Sequence, residues 1–237
     1  MQTRSVTSRP PGRPWGPVPR AGLTPQAVVE LALRVVDEGG ARGADELSLA
    51  AVARLAGVAV PSLYKHVGSL DHLRAEVARR CVAEITEVYE AAVRGQHGAD
   101  AIVAVAVATR RWALAHPGRY GAVQTSPRLL GGDGADGEGA GGEDAGGDSA
   151  EGRHARRDTG ARTVEVIATA LHETGVPAPR TVDGVRAVRA AIHGFVDLEL
   201  SGGFGMPDDV DQSFDALVRL LLDGLGSLCG ADAEASR

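Results

Sequence analysis

The stretch "AGVAVPSLYKHVGSL", Ala56 to Leu70, decides how this chain is read. It opens on a glycine turn and then sets Ser62, Tyr64, Lys65 and His66 close together. Pro61 falls in what would be the first turn of a helix, where a missing N–H costs little. Leu63 and Val67 recur at i, i+4 and predict an inward face. Ser62, Tyr64, Lys65 and His66 are left to point outward or sideways.

The upstream neighbour, "SLAAVARLAG", reads as a second short helix. Ser48 can cap it, and Leu49, Val52, Ala53 and Ala56 form one face at i, i+3, i+4, i+7. Gly57 supplies the left-handed residue that stops it. Two short helices joined at "AGVA", the second presenting slim and basic groups, make a helix-turn-helix. A recognition helix enters a major groove about 12 Å wide, so its leading residues must be slim, as Pro61 and Ser62 are. Ser62 can meet a base edge or a phosphate. Tyr64 and Lys65 offer a phenolic O–H and a charge for phosphate, and His66 offers a neutral donor. Plainer roles compete: Tyr64 as a packing residue, Lys65 as an idle surface charge, His66 as the filler of a helix end.

Further out, "LTPQAVVELALRVVDEGG" predicts the first helix, with Thr24 as N-cap, Pro25 at the first helical position and Gly39 at the end. Residues 1–22 hold five prolines, four arginines and no acid, a composition expected of a disordered basic arm. Downstream, a helix runs from about Leu70 past Val88. "ADAIVAVAVATRRWALAHPG" puts Ile102, Val105, Ala106, Thr109 and Trp112 on one stripe, with "HPGRY" at 116–120 expected as a turn. Residues 131–152 hold ten glycines, seven acids and no basic residue. They predict a floppy loop, extended here to 131–157, with helix resuming near Asp158. A helix over about 180–200 follows. The last, from Pro207, carries Val210, Phe214, Leu217, Leu221, Leu225 and Leu228. No alternating strand pattern and no repeat is visible.

The motif pattern resembles the TetR (tetracycline repressor-like) family over Leu23 to about Val88. It is carried by Ser48-Leu49 opening a helix, "VARLAGV" at 52–58, "PSLYKHV" at 61–67 and "LDHL" at 70–73. "RRWALAHPGRYGAV" and "RAVRAAIHGFVDLELSGGFG" resemble the subgroup named for a Trp-His-Gly motif, although here the place reads Ile192-His193-Gly194. The resemblance implies an all-α homodimer that binds palindromic DNA. It implies a three-helix DNA-binding domain over 23–70 and a helical ligand-binding and dimerisation domain over 71–237. It further implies that Ser48 approaches phosphate and that Val60, Pro61 and Ser62 face bases. Tyr64 and His66 contact the backbone, and Lys65 contacts phosphate or base. Many members have a phosphate-binding lysine where this chain has Leu70, so Arg20 or another arm arginine is the expected substitute. Ala50 and Ala51 stand where some members have basic contacts.

The charge is asymmetric. The formal net charge is −6, yet residues 1–80 balance to +4 and the remainder to −10. Only the first part is suited to a polyanion. Eight aromatic residues leave the core to Ala, Val and Leu. Cys81 and Cys229 form no C-x-x-C pair, which argues against a disulfide framework or zinc site and suits a reducing cytosol. No apolar run approaches bilayer length, and the N-terminus lacks the apolar region of a secretory signal. No cofactor or metal is expected.

Trp112, His116, Tyr120 and His193 are the candidates to line a cavity for a mostly apolar effector; core packing is the plainer role for Trp112 and His193. The stripe Phe214, Leu217, Leu221, Leu225 is expected to pair with the helix near 185–200 in a dimer interface formed by the last two helices. A DNA-binding dimer without a ligand is the alternative. A helical enzyme built on His172, His193, Asp197 and Glu199 is weaker, because H-E-x-x-H, nucleophile-elbow and phosphate-loop motifs are all missing.

Overall fold

The computed structural model describes residues 23–124, 150–206 and 209–234. The basic arm, Pro207 and most of the glycine-acid tract therefore lie outside the described residues. Within them, every regular element is helical.

Helix α1 spans Pro25–Glu38, and Thr24 accepts the Ala27 N–H at 3.1 Å. Its Val28, Leu31, Ala32, Leu33 and Val36 are buried. A 3₁₀ turn, Gly40–Arg42, and a one-turn helix α2, Gly43–Glu46, then follow; no apolar period marks them in the sequence. Helix α3 spans Leu49–Ala56, capped by Ser48 through the Ala51 N–H at 3.3 Å. Gly57, at φ 69°, ends α3 in the left-handed region that only glycine enters freely. Helix α4, Val60–Leu63, continues as turns to Val67, whose N–H reaches the Leu63 carbonyl at 3.0 Å. Leu63 and Val67 are buried as the i, i+4 spacing predicts.

Helix α5, Leu70–Ala92, is capped by Ser69 and begins in the helix-turn-helix head. Its buried residues run from Leu73 to Tyr89, so it joins the head to the body through one continuous core. In the body, α6 spans Gly98–Ala115, α7 Pro117–Gln124, α8 Ala150–Glu173, α9 Thr181–Leu200 and α10 Val210–Glu234. The Asp209 carboxylate caps α10 through the Asp211 N–H at 2.9 Å.

Three boundaries differ from the sequence reading. "HPGRY" is not a turn: Pro117 opens α7, and its missing N–H is one a helix's first turn leaves unpaired anyway. The loop 131–157 is too long at its far end, because α8 begins at Ala150 rather than near Asp158. Alanine and arginine, frequent in that first stretch, are strong helix formers, and averaging over the preceding glycines hid them. The last helix begins at Val210 rather than at Pro207.

Helix α7 docks against the head more closely than any side chain would permit. A Cβ on Gly118 would stand 2.2 Å from the Val36 carbonyl oxygen and 2.8 Å from that of Gly40. Proline and glycine at the start of α7 are thus what bring the body onto the C-terminal end of α1.

Candidate nucleic-acid interface and regulatory cavity

The exposed face of the head is built from the helix-turn-helix. Pro61, Tyr64 and Lys65 are exposed, Tyr64 by 54 %, a large value for an aromatic side chain. Ser48, Val60, Ser62 and His66 are half-buried, and Val60 gives part of its surface to the core. Leu63 and Val67 hold this short segment down from beneath. Leu70 is half-buried against the core at the first position of α5, so apolar packing occupies the place where the resemblance leads one to expect a lysine. Ala50 is exposed and Ala51 half-buried, leaving α3 without a charged first turn. The arrangement offers three hydroxyls, one ammonium and one imidazole on a surface slim enough for a groove.

The candidate effector residues fall into two groups. Tyr120 Oη lies 2.6 Å from His193 Nδ1, and Gln124 Nε2 donates to the same oxygen at 3.2 Å. Trp112 and His116 form a separate ring pair, 5.8 Å between centroids, at the C-terminal end of α6. His193 borders a small cavity with Tyr89, Arg189, Thr163 and the apolar side chains Ile85, Val123, Val164 and Ile167. Trp112 and His116 are not among its walls. Its free volume is about 10 Å³, room for about one water.

Burial and the nearby Arg189 charge push the His193 imidazole down to about 4, so it is neutral near pH 7. Burial raises the Tyr120 hydroxyl, with Tyr89 and Asp197 adding to the rise. Burial likewise raises Tyr89, whose Oη lies 2.9 Å from Thr109 Oγ1. Tyr120 Oη thus accepts from Gln124 and shares a second hydrogen bond with His193 Nδ1. Elsewhere in the core, Thr86 and Thr163 satisfy each other at 2.5 Å. Burial, assisted by Glu84, pushes the Cys81 thiol up to about 12, which keeps it unreactive.

Two arginine clusters fix the frame, and neither is visible in sequence spacing. Arg119 of α7 grips Asp37 of α1 with two bonds, at 2.8 and 2.7 Å, and Glu84 of α5 at 2.8 Å. Arg110 of α6 grips Glu199 of α9 with two bonds at 2.7 Å and Asp211 of α10 at 2.6 Å, and its guanidinium lies 5.0 Å from the Phe214 ring centroid. Both guanidinium pKa values rise, led by hydrogen bonds to Glu199 and to Asp37 respectively. The residues that could build an acid–base or metal site are thereby divided: Glu199 is held by Arg110, and His172 lies 3.3 Å from the Thr181 hydroxyl. No cluster of potential metal ligands occurs among the described residues. No helix among them is long and apolar enough to cross a membrane.

Comparison with known proteins agrees with this architecture. Residues 102–221 match the family model described as "Tetracyclin repressor-like, C-terminal domain". The chain is 31% identical over 207 residues to the uncharacterized HTH-type transcriptional regulator Rv0681 of Mycobacterium tuberculosis, covering 86% of this chain and 83% of that one. The fold resembles that of the regulatory protein SCO4313, with a TM-score of 0.60 and 24% identity, covering 84% of this chain and 96% of that one. It also resembles a TetR variant from Acinetobacter baumannii AYE solved in complex with minocycline, with a TM-score of 0.56 and 20% identity, covering 87% of this chain and 98% of that one. The family match over half of the chain and the mycobacterial relative over most of it agree with the helix-turn-helix in the head: this chain belongs to the TetR family of DNA-binding transcriptional regulators, which are not enzymes.

Proposed function

We propose that the protein is a ligand-responsive repressor that binds a palindromic operator as a homodimer. The observation that carries this reading is on α7, where adjacent residues look in opposite directions. Arg119 grips the head through Asp37, while Tyr120 bonds to His193 beside the body's cavity. A ligand that disturbs Tyr120 therefore disturbs the helix that holds the head. The repressor sign follows family habit.

In this reading Pro61, Ser62 and the exposed edge of Val60 face bases. Tyr64, Lys65, His66 and Ser48 position the head on phosphates. Tyr120 and His193 meet the effector, and the Trp112–His116 pair lies at the hinge between α6 and α7. The effector is a mostly apolar small molecule, as the cavity walls suggest; the fold neighbour solved with minocycline supports a small-molecule site in a body of this shape.

The dimer forms through α9 and α10. Val182 and Leu198 of α9 and Leu220 of α10 are large apolar side chains exposed in the single chain, Leu220 by 69 %. Ala187, Ala190 and Gly194 are exposed between those of α9 and allow close helix approach. Selection of bound sequences from random DNA tests the reading. A pseudo-palindrome with half-sites about one turn apart is expected. A thermal-shift screen of hydrophobic metabolites should then give hits that lower operator affinity about 5–150-fold. Recovery of no preferred sequence would refute operator binding, and hits that never release DNA would refute the allosteric part.

A further inference from the structure

We infer that Arg110 is a positioning residue for operator recognition: by clamping the end of α9 and the start of α10 to α6, it sets the half-site spacing that the dimer accepts. This rests on the homodimer reading and names the residue that fixes the dimer's geometry.

One guanidinium joins three helices. Arg110 donates to Glu199 from both Nε and Nη2, at 2.7 Å each, and from Nη2 to Asp211 at 2.6 Å. Glu199 is the penultimate residue of α9, and Asp211 is the second residue of α10. The two partners are unequal. The Arg110 and Glu199 side chains are only 14% and 16% exposed, whereas Asp211 is 80% exposed. A two-pronged pair shielded from water fixes direction as well as distance, so Glu199 is the firm partner and Asp211 the weaker one.

The neighbouring rings belong to the same corner. Arg110 lies over the ring of Phe214 on α10, which meets Phe195 of α9 edge-on at 5.2 Å. Phe195 in turn meets Phe204 of the connection at 4.6 Å. The connection also carries Gly202, Gly203 and Gly205, with Gly202 at φ 73°. A backbone so rich in glycine constrains the crossing of α9 and α10 weakly, which leaves that crossing to the side chains. Helix α10 packs mainly on α9 and touches α6 little, so the Arg110 clamp is what ties its start to the rest of the body.

The route from this corner to DNA is short. Helix α6 packs along α5, and α5 begins directly behind the recognition segment. With α9 and α10 joining the two copies, their tilt against α6 becomes the tilt of one head against the other. Half-site spacing reads that tilt, because neighbouring base pairs stand about 3.4 Å apart.

The test uses the full chain as wild type, Arg110→Met and Glu199→Gln, each checked by circular dichroism and sedimentation. Glu199→Gln keeps the side chain's shape and carries the test where Arg110→Met does not fold. Sequences are selected from random DNA, and the wild-type half-sites are rebuilt with the spacing lengthened or shortened by one and two base pairs. The wild type should prefer its own spacing at least about tenfold, since any other spacing must be met by deforming the DNA. Folded dimers of the variants should accept spacings that the wild type rejects, cutting that preference to about threefold or less. Their half-site sequence and their affinity for an isolated half-site should stay as in the wild type. Variant dimers that keep the wild-type preference, or that lose affinity equally at every spacing, overturn the inference. So do variants that fall apart into monomers, since Arg110 would then hold the dimer together rather than set its geometry. A wild type that selects no paired half-sites refutes the homodimer reading itself, whatever the variants do.

Discussion

The Tyr120 and His193 rings lie 5.6 Å apart, 29° from parallel, with the phenolic oxygen 2.6 Å from Nδ1. Stacking and hydrogen bonding hold the imidazole in a site that opposes its charge. His193 falls from 6.5 to about 4. The unfolded chain therefore binds a proton below about pH 6.5 that the folded chain refuses, and stability falls as pH drops from there to about 4. The full effect is about 3 kcal/mol at most. The melting temperature of the wild type should fall as pH drops across this range, and that of His193→Gln should change less.

Loss of Tyr64 should weaken binding to every DNA sequence alike, because a phosphate contact positions without specifying. Lys65→Gln should reduce the slope of log K against log salt by about 1. Ser62→Ala should instead change which bases are preferred. Fluorescence anisotropy over a salt series separates the three, and a Tyr64→Ala variant with intact affinity would remove Tyr64 from the interface.

Gly118→Ala should separate head from body, since the new methyl carbon would stand 2.2 Å from the Val36 carbonyl oxygen. The expected cost is about 1–3 kcal/mol. Arg119→Met leaves Asp37 and Glu84 facing each other without their cation. Because all three are partly exposed, the cost should be nearer about 1 kcal/mol. Hydrogen exchange at the C-terminal end of α1 should rise in both variants, and operator affinity should fall.

Leu220→Glu tests the dimer cleanly. Leu220 is exposed in the single chain, whereas Leu221 packs partly against the core. A charge at position 220 should give folded monomers by sedimentation, with operator binding lost. The same change at position 221 should lower the melting temperature as well.

Much of the fold is legible from local chemistry. Thr24 and Ser48 cap the helices they precede, Gly57 turns the chain, and Leu63 and Val67 face inward, because each depends on residues only a few positions away. The stripe Ile102, Val105, Ala106, Thr109 and Trp112 is buried for the same reason. What escapes is of two kinds. Helix α7 opens with His116-Pro117-Gly118, residues that also begin turns, and only its docking under α1 gives the glycine its purpose. The Arg119 cluster joins residues 82 and 35 positions apart, and no periodicity encodes such a pairing. Arg189 could have been suspected from its four-residue spacing to His193, but that spacing alone does not say which face meets the cavity.

Helix α5 carries one further consequence. Its 23 residues form a rod about 34 Å long at 1.5 Å per residue. Leu70, at one end, follows the recognition segment, while Ile85 and Tyr89 border the cavity toward the other. A rod of that length pivoting by about 5° sweeps its end through about 3 Å, close to the rise of one base pair. Two such rods in a dimer would double the mismatch. If the protein is the ligand-responsive dimer proposed above, the helix would act as a lever, and a displacement at the cavity no larger than a methyl group would be enough to carry the heads out of step with a half-site repeat.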